Sequence, residues 1–407
     1  MDLRRFYPLL KDVFYSIVTA LFFSAFIYLA HYNVTCKVCD TLFALAALAL
    51  LLYARKRAIV LSGFFIGLLW FYWIGYSFKY YGMNPIIEPF VAFGFAIVYA
   101  LFFGTMALTR HIYLRAIILF GLTFVSPLGF NWMKPELLFI NSYLGTSKLD
   151  FAIILTALVL PSFLNNRWRL APLMLLLGTL QLSHPMPVMP PIKIDLVATH
   201  LGQFEKWNPD NLENVINMNL SYIDDAINQG YDAVVLPESA FPMFLNDSPL
   251  LLEYLSEKSK QISIITGALM REGDKHYNVT YHFEDGNYTV AKKVVLVPFG
   301  EYIPLPKFLS KWISDTIFGG ASDFTGAVEP SDFIIKGVKF RNAICYEAST
   351  DEVYKNNPSF IVATSNNGWF LPSIEPTLQN LLLKYYARKY NVVIFHAANR
   401  AGTGIVY

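Results

Sequence analysis

The feature that most limits what this chain can fold into is the uneven placement of its charge. Charged residues make up 15% of the 407 and hydrophobic residues 55%, whereas a soluble protein carries about 25% charged residues. The shortage is concentrated early: apolar runs crowd 13–182, and most of the charge lies beyond 190. Two bodies are expected, a transmembrane helical domain over 1–190 and a water-facing domain over 191–407. The boundary falls near SHPMPVMPPIKID (183–195), whose prolines suit a stiff, extended linker.

A helix crosses a bilayer with about 20 apolar residues. The runs at 13–30, 58–78 and 89–108 meet that need, and 41–54 is short but uninterrupted. The runs at 116–130, 151–164 and 170–182 are shorter and contain Pro127, Pro161 and Pro172. About seven spans are expected. Basic residues alternate between the loops: Arg4, Arg5, Lys11, Arg55, Lys56, Arg57, Arg110, Arg115, Arg167 and Arg169 fall on one side, against Lys37, Lys79, Lys134 and Lys148 on the other. Loops rich in Lys and Arg stay in the cytoplasm, so the N-terminus is predicted inside and, after seven crossings, the C-terminal half outside. The first apolar run lacks a small-residue cleavage site and reads as a retained span. Trp70, Tyr72, Trp73 and Tyr76, at the outer end of the third run, fit an interfacial aromatic belt or the mouth of a lipid site.

A net charge of +2 argues against a nucleic-acid partner. Three cysteines exclude a disulfide scaffold. Cys36 and Cys39 form a C-x-x-C with no second Cys or His pair at zinc spacing, so they read as two small residues in a short loop, and no metal is expected.

Beyond 190 the pattern changes. The stretches 194–199, 232–238, 263–268, 278–283, 288–298, 333–347, 359–365 and 392–398 read as strands, and 208–230 and 374–390 as helices, the first opening on Asn208 with Pro209 next. Buried strands alternating with helices predict a layered α/β body with function at strand ends. Three reactive residues sit at or near such ends: Glu238 closes DAVVLPE, Cys345 follows RNAI, and Lys293 leads into VVLVPFGEY. A cysteine nucleophile needs an acceptor for its proton and a positive charge for the oxyanion it creates. A glutamate supplies the first and a lysine the second. Alternation along the strand lets only one of Lys292 and Lys293 face such a site. Taken singly, Cys345 reads as an inert core residue, Glu238 as a cap for the following turn, Glu301 as a paired structural acid, and Trp207 and Trp369 as packing aromatics.

The motifs LPESAFP (236–242), KVVLVPFGEYIPL (293–305) and ICYE (344–347) resemble the glutamate–lysine–cysteine triad of the nitrilase superfamily. Their wording, together with EKWNP (205–209) and a multi-span domain ahead of them, resembles the apolipoprotein N-acyltransferase family. The resemblance implies an αββα sandwich behind the membrane helices. It implies Glu238 as general base, Lys293 as oxyanion stabiliser and Cys345 as nucleophile, with Glu301, Tyr346 and Glu347 supporting and Trp207, Asn278 and Trp369 shaping the substrate site. It implies a phospholipid acyl donor, a diacylglyceryl lipoprotein acceptor, a thioester intermediate, no cofactor, a monomer, and a multi-pass protein of the bacterial inner membrane with its catalytic domain on the periplasmic side. Two departures stand out. SNNGWFL (365–371) has Asn367 where the family's SNDAWFG has an acid. The resemblance also implies more strands and a final helix after NRAGTGIVY (399–407), so the α/β body is expected to lack its C-terminal end. The stretch 312–324, with Trp312, Ile313, Ile317 and Phe318 beside Gly319 and Gly320, reads either as a mobile lid or as a packed loop. A membrane-anchored amidase or nitrile hydrolase using the same triad with water, and an inactive lipoprotein-binding scaffold, are the alternative readings.

Overall fold

The computed structural model describes residues 3–184, 186–298, 300–302 and 324–407. Residues 312–323 of the apolar stretch singled out above, Gly319 and Gly320 among them, lie outside the described residues. The chain divides into one unit of Met1–Lys79, Asn84–Pro185 and Pro372–Leu381, and a second of Tyr80–Met83, Met186–Leu371 and Leu382–Tyr407.

The first unit is helical: α1 Leu3–His31, α2 Lys37–Tyr53, α3 Lys56–Phe71, α4 Ile87–Gly104, α5 Ile112–Leu122 and α6 Lys148–Val159. Among the described residues, four helical stretches are long and apolar enough to cross a membrane, at Tyr7–His31, Lys56–Tyr81, Ile87–Leu108 and Ile112–Gly129. The remaining apolar runs fold as α2 with 17 residues, α6 with 12 continued by a 3₁₀ turn at Leu160–Phe163, and a 3₁₀ stretch at Ala171–Thr179. Pro172 sits at the start of the 3₁₀ stretch. Helices α3 and α4 pack backbone to backbone: a Cβ on Gly63 would lie 2.5 Å from the Tyr99 carbonyl oxygen, and one on Gly67 would lie 2.7 Å from Tyr99 Cβ. Small residues permit this approach where lipid supplies no hydrophobic drive between helices.

Two expectations change here. Trp70 and Trp73 are buried within this unit rather than set in an exposed belt; Trp73 Nε1 donates to the Trp70 carbonyl at 2.7 Å. Cys36 and Cys39 are joined in a disulfide rather than standing as unlinked small residues. Cys36 is the N-cap of α2 and Cys39 lies in its first turn. That geometry sets their Cα atoms 5.2 Å apart, within bridging range.

The second unit holds two sheets. In the first, β1 Ile194–Leu196, β2 Ala233–Val235 and β4 Ser263–Glu272 run parallel, with β3 Phe241–Phe244 also against β4, and β5 Lys275–Glu284 and β6 Asn287–Lys292 continue antiparallel. In the second, the order is β11 Gly404–Val406, β10 Val393–Asn399, β9 Phe360–Asn366, β8 Val338–Ile344 and β7 Asp332–Ile335, with the central three parallel. The stretch 333–347, read as one strand, is a hairpin: Lys336 and Gly337 take φ of 46° and 81°, and β7 pairs antiparallel with β8.

The sheets face each other across a core of Val235, Ile265, Phe333, Phe340, Val362 and Phe395, among others. The opposite face of the first sheet packs Val234, Ile264 and Tyr281 against α8 Leu212–Asn228 and α9 Pro249–Lys258. The 16-residue helix α10, Glu375–Tyr390, connects the parallel neighbours β9 and β10. Helices outside and two sheets inside give the four-layer αββα order.

Candidate active site

Three strands lead into the residues singled out from sequence, β2 and β8 from parallel pairings and β6 from an antiparallel one. Glu238 comes three residues after β2, Cys345 directly after β8, and Lys293 directly after β6. Each strand end is held in an unusual way. Cys345 itself has φ of 53° and Ser239, after Glu238, has φ of 48°. Left-handed backbone at a non-glycine residue costs on the order of 1–3 kcal/mol and persists only where surroundings enforce it. At Ser239 the enforcement comes from β4: Gly267 lies so close that an added Cβ would sit 2.4 Å from Ser239 N and 2.6 Å from Glu238 Cα. At Cys345 the Glu347 carboxylate turns back. Its Oε1 accepts from Ile344 N at 2.8 Å, and its Oε2 accepts from Val294 N at 2.7 Å and Val295 N at 3.0 Å. One buried acid thus ties the strand end carrying Cys345 to the segment following Lys293.

The side chains converge. Lys293, 1% exposed at its side chain, donates to Glu301 Oε1 at 2.8 Å and stands 3.8 Å from Glu238 Oε1. Asn278 Nδ2 donates to both acids, at 2.7 Å to Glu238 Oε1 and 3.2 Å to Glu301 Oε1. Glu301 Oε2 accepts from Val297 N at 2.8 Å. The Lys293 main chain is fixed on both sides, its N–H donating to Asn278 O and its carbonyl accepting from Ala327 N. Lys292 points elsewhere, onto Glu272 at 2.6 Å and over the Tyr277 ring.

Burial opposes charge on Lys293, but Glu301, Glu238 and Cys345 outweigh it and hold the amine above its ordinary range. Burial pushes Glu347 up to about 7, opposed by its backbone N–H partners and Lys293. The half-buried Cys345 acts electrostatically on Lys293 and also on Lys206. Lys206, on the four-residue helix α7 Gln203–Lys206, is 2% exposed, and its Nζ donates to the Glu238 main-chain carbonyl at 2.8 Å.

The remaining expected residues lie around this centre in different ways. Tyr346 is buried in the turn after Cys345. Trp207 and Trp369 stand 6.5 Å apart, ring to ring, and Trp369 also meets Tyr80, which in turn meets Phe204. These two tryptophans belong to an aromatic cluster rather than to the set of ionisable groups. Asn367, in the place of the family acid, donates to the Ala401 carbonyl at 2.9 Å. Sequence reading missed Lys206, although EKWNP contained it, and it missed the amide network beside it. Gln203 Nε2 donates to Asn366 Oδ1 at 2.7 Å, Asn399 Nδ2 donates to the same oxygen at 2.9 Å, and Trp207 Nε1 donates to Gln203 Oε1 at 3.1 Å. No group of three or more metal-ligating side chains occurs among the described residues.

A carboxylate held by an amide, an ammonium held by a second carboxylate, and a thiol on a strained strand end can together generate a thiolate and receive an oxyanion. Residues 10–182 match the family model for the apolipoprotein N-acyltransferase integral membrane domain. The chain is 44% identical over 97% of its length to an apolipoprotein N-acyltransferase of Wolinella succinogenes, covering 96% of it. It is 36% identical over 90% of its length to one of Helicobacter hepaticus, covering 93% of it. Over 52% of its length it is similar to a solved CN-hydrolase superfamily protein of Xanthomonas campestris, covering 77% of that chain with 14% identity and a TM-score of 0.40. The chain belongs to the apolipoprotein N-acyltransferase family and is a bacterial, membrane-embedded acyltransferase.

Proposed function

We propose that the chain moves an acyl group from a membrane phospholipid to the N-terminal α-amine of a diacylglyceryl-cysteine lipoprotein, through a thioester on Cys345. The observation that carries this reading is a buried ammonium, Lys293, bonded to Glu301, facing Glu238 and sensing the charge on Cys345. Asn278 and Lys293 both address Oε1 of Glu238, which leaves Oε2 as the oxygen that takes the Cys345 proton. The thiolate attacks the ester carbonyl, and Lys293 balances the negative oxygen. Glu301 keeps Lys293 charged and aimed. The intermediate collapses, the lysophospholipid oxygen leaves with the proton from Glu238, and the acyl group stays on sulfur. The lipoprotein amine then attacks the thioester, Glu238 receives its proton, and the thiolate departs to be reprotonated. Two half-reactions on one nucleophile give ping-pong kinetics.

The protein works as a monomer in the inner membrane, with the α/β unit on the periplasmic side. The Cys36–Cys39 disulfide supports an outward-facing loop after the first helix, because disulfides persist in oxidising compartments such as the periplasm. Asn278, Trp207 and Trp369 shape the substrate site.

The test is mass spectrometry of the Cys345 peptide after incubation with labelled phospholipid. One hydroxylamine-sensitive acyl group on Cys345 is expected in the wild type, and none in Glu238→Ala. Acyl transfer without label at Cys345 would overturn the mechanism.

A further inference from the structure

Among the described residues, Lys293 is one of two buried amines at this site; the other is Lys206. We propose that Lys206 is a positioning residue for acyl transfer, clamping the main chain at Glu238 and supplying a second positive charge beside Cys345. The role rests on the reading of Glu238 and Cys345 given above.

Three observations carry it. First, Lys206 Nζ donates to the Glu238 carbonyl at 2.8 Å from a position 2% exposed. The carbonyl it grips belongs to the residue whose side chain must face the thiol, immediately before the left-handed Ser239. Second, the short helix bearing Lys206 is tethered. Lys206 N donates to Gly202 O at 2.8 Å, Gln203 bonds Asn366, and Asn211 Nδ2 donates to Glu205 O at 3.2 Å. A lysine on a tethered turn delivers its amine to one place.

Third, the charges around Cys345 are further from balance without it. Glu238 and Glu301 contribute −2 and Lys293 +1, leaving −1 before Glu347, a further buried acid near Lys293, is counted; Lys206 offsets one of these negative charges. An excess negative charge beside a thiol opposes thiolate formation, and a cation favours it. Burying an ammonium against a single carbonyl is a poor way to gain stability, since desolvation costs several kcal/mol per ion. A function in the charged state explains its presence better. The ionisable groups acting on Lys206 are Glu238 and Cys345, which in turn interact with Lys293, itself paired with Glu301 and acting on Glu347, and Glu205 lies on its own helix. Burial brings the Lys206 amine down to about 8, against the pull of Glu238 and Cys345, so the charge is present at neutral pH.

The experiment compares full-length wild type, Lys206→Met and Lys206→Arg in detergent. Two quantities are followed: the pH profile of Cys345 alkylation by iodoacetamide, and the single-turnover rate of acyl loading from phospholipid. Wild type is expected to alkylate with a midpoint below the ordinary thiol value of about 8.5. Lys206→Met should raise that midpoint by about one unit and slow loading about tenfold, with the thermal midpoint little changed. Lys206→Arg, which keeps the charge, should recover most of the wild-type profile. A lowered wild-type midpoint that Lys206→Met leaves in place overturns the role of Lys206 alone. An ordinary midpoint in wild type overturns the activated thiol itself, and the role of Lys206 with it. If Lys206→Met does not accumulate as folded protein, Lys206→Gln carries the same comparison, because it keeps a donor for the carbonyl and removes the charge.

Discussion

The helical unit and the α/β unit both bury polar groups, and they use them differently. In the helical unit the partners are mostly backbone carbonyls left over at helix ends or turned toward a neighbouring helix. Arg115 Nη1 donates to Leu52 O at 2.8 Å and Ala54 O at 2.7 Å, at the C-terminus of α2. Ser16 Oγ reaches Ala58 O, and Tyr28 OH reaches Leu69 O. The ion pair of Lys148 with Glu136 at 2.5 Å is joined to Thr123 O by the same amine. These bonds satisfy groups that apolar surroundings would otherwise leave expensive. At the candidate site of the α/β unit the buried polar groups turn toward one another: three carboxylates, two ammoniums and a thiol share one neighbourhood. Burial of a charge is therefore no mark of function in this protein; convergence of several titratable groups without a structural debt to settle is.

The sharpest way to break that contrast is at the thiol. Cys345→Ala removes the nucleophile from a centre whose other members stay in place, and acyl transfer should fall by on the order of a thousandfold or more. The thermal midpoint in detergent should hold. A variant that keeps more than a tenth of the activity would mean that the convergent groups serve packing, as those of the helical unit do. Gly267→Ala tests the scaffold under the same centre. Its new methyl would lie within 2.6 Å of Glu238 Cα, so the strand end must move. Overpacking of this kind costs about 1–3 kcal/mol, and an ångström-scale shift of the base should slow acyl loading by about a hundredfold. Loss of stability with full turnover per folded molecule would show that Glu238 needs no such fixed position.

Much of this contrast was legible in the sequence, and the unread part has definite causes. The charge shortage before residue 190 gave the membrane helices, and strand endings gave Glu238, Lys293 and Cys345 their meeting place. Alternation allows only one of Lys292 and Lys293 at the site, and the spacing to LVPFGE selects Lys293. Lys206 was not legible, because a four-residue helix has no periodicity to read and its place is set by residues far along the chain, Glu238 bonding Lys206 and Asn366 bonding Gln203. The β7–β8 hairpin was missed because its turn is Lys336-Gly337 instead of the Asn-Gly or Asp-Gly pairs that announce one. The disulfide was missed because a bridge over two intervening residues depends on Cys36 standing at a helix cap, which composition does not reveal.

The helical side of the comparison makes the opposite demand. Arg115→Met keeps the apolar stem and removes the guanidinium from the Leu52 and Ala54 carbonyls. Leaving buried acceptors unmade costs about 1–3 kcal/mol each at most. The thermal midpoint should drop by several degrees while turnover per folded molecule stays within twofold. A tenfold fall in turnover without loss of stability would assign this arginine to the reaction and erase the distinction drawn above.

The smallest effect should come from a group inside the α/β unit that behaves like those of the helical one. His396 is fully buried between two partners: Nδ1 with Gly402 O at 2.8 Å, and Nε2 with Ser365 Oγ at 2.8 Å. A carbonyl only accepts, so Nδ1 carries the proton and Nε2 accepts from the serine. Burial pushes the ring down to about 4, below its unfolded value of about 6.5. The folded state therefore binds fewer protons than the unfolded one between those two values, and stability rises with pH across that window. It should be lost as pH falls from about 6.5 toward 4, by on the order of 3 kcal/mol if no other group compensates. Turnover per folded molecule should not follow the same curve, because His396 settles only its own hydrogen bonds. Thermal midpoints measured from pH 4.5 to 7 on wild type and His396→Gln check this: the slope should flatten in the variant. An unchanged slope would mean that the ring is charged in the folded protein, and that Ser365 and Gly402 hold it by a different pairing.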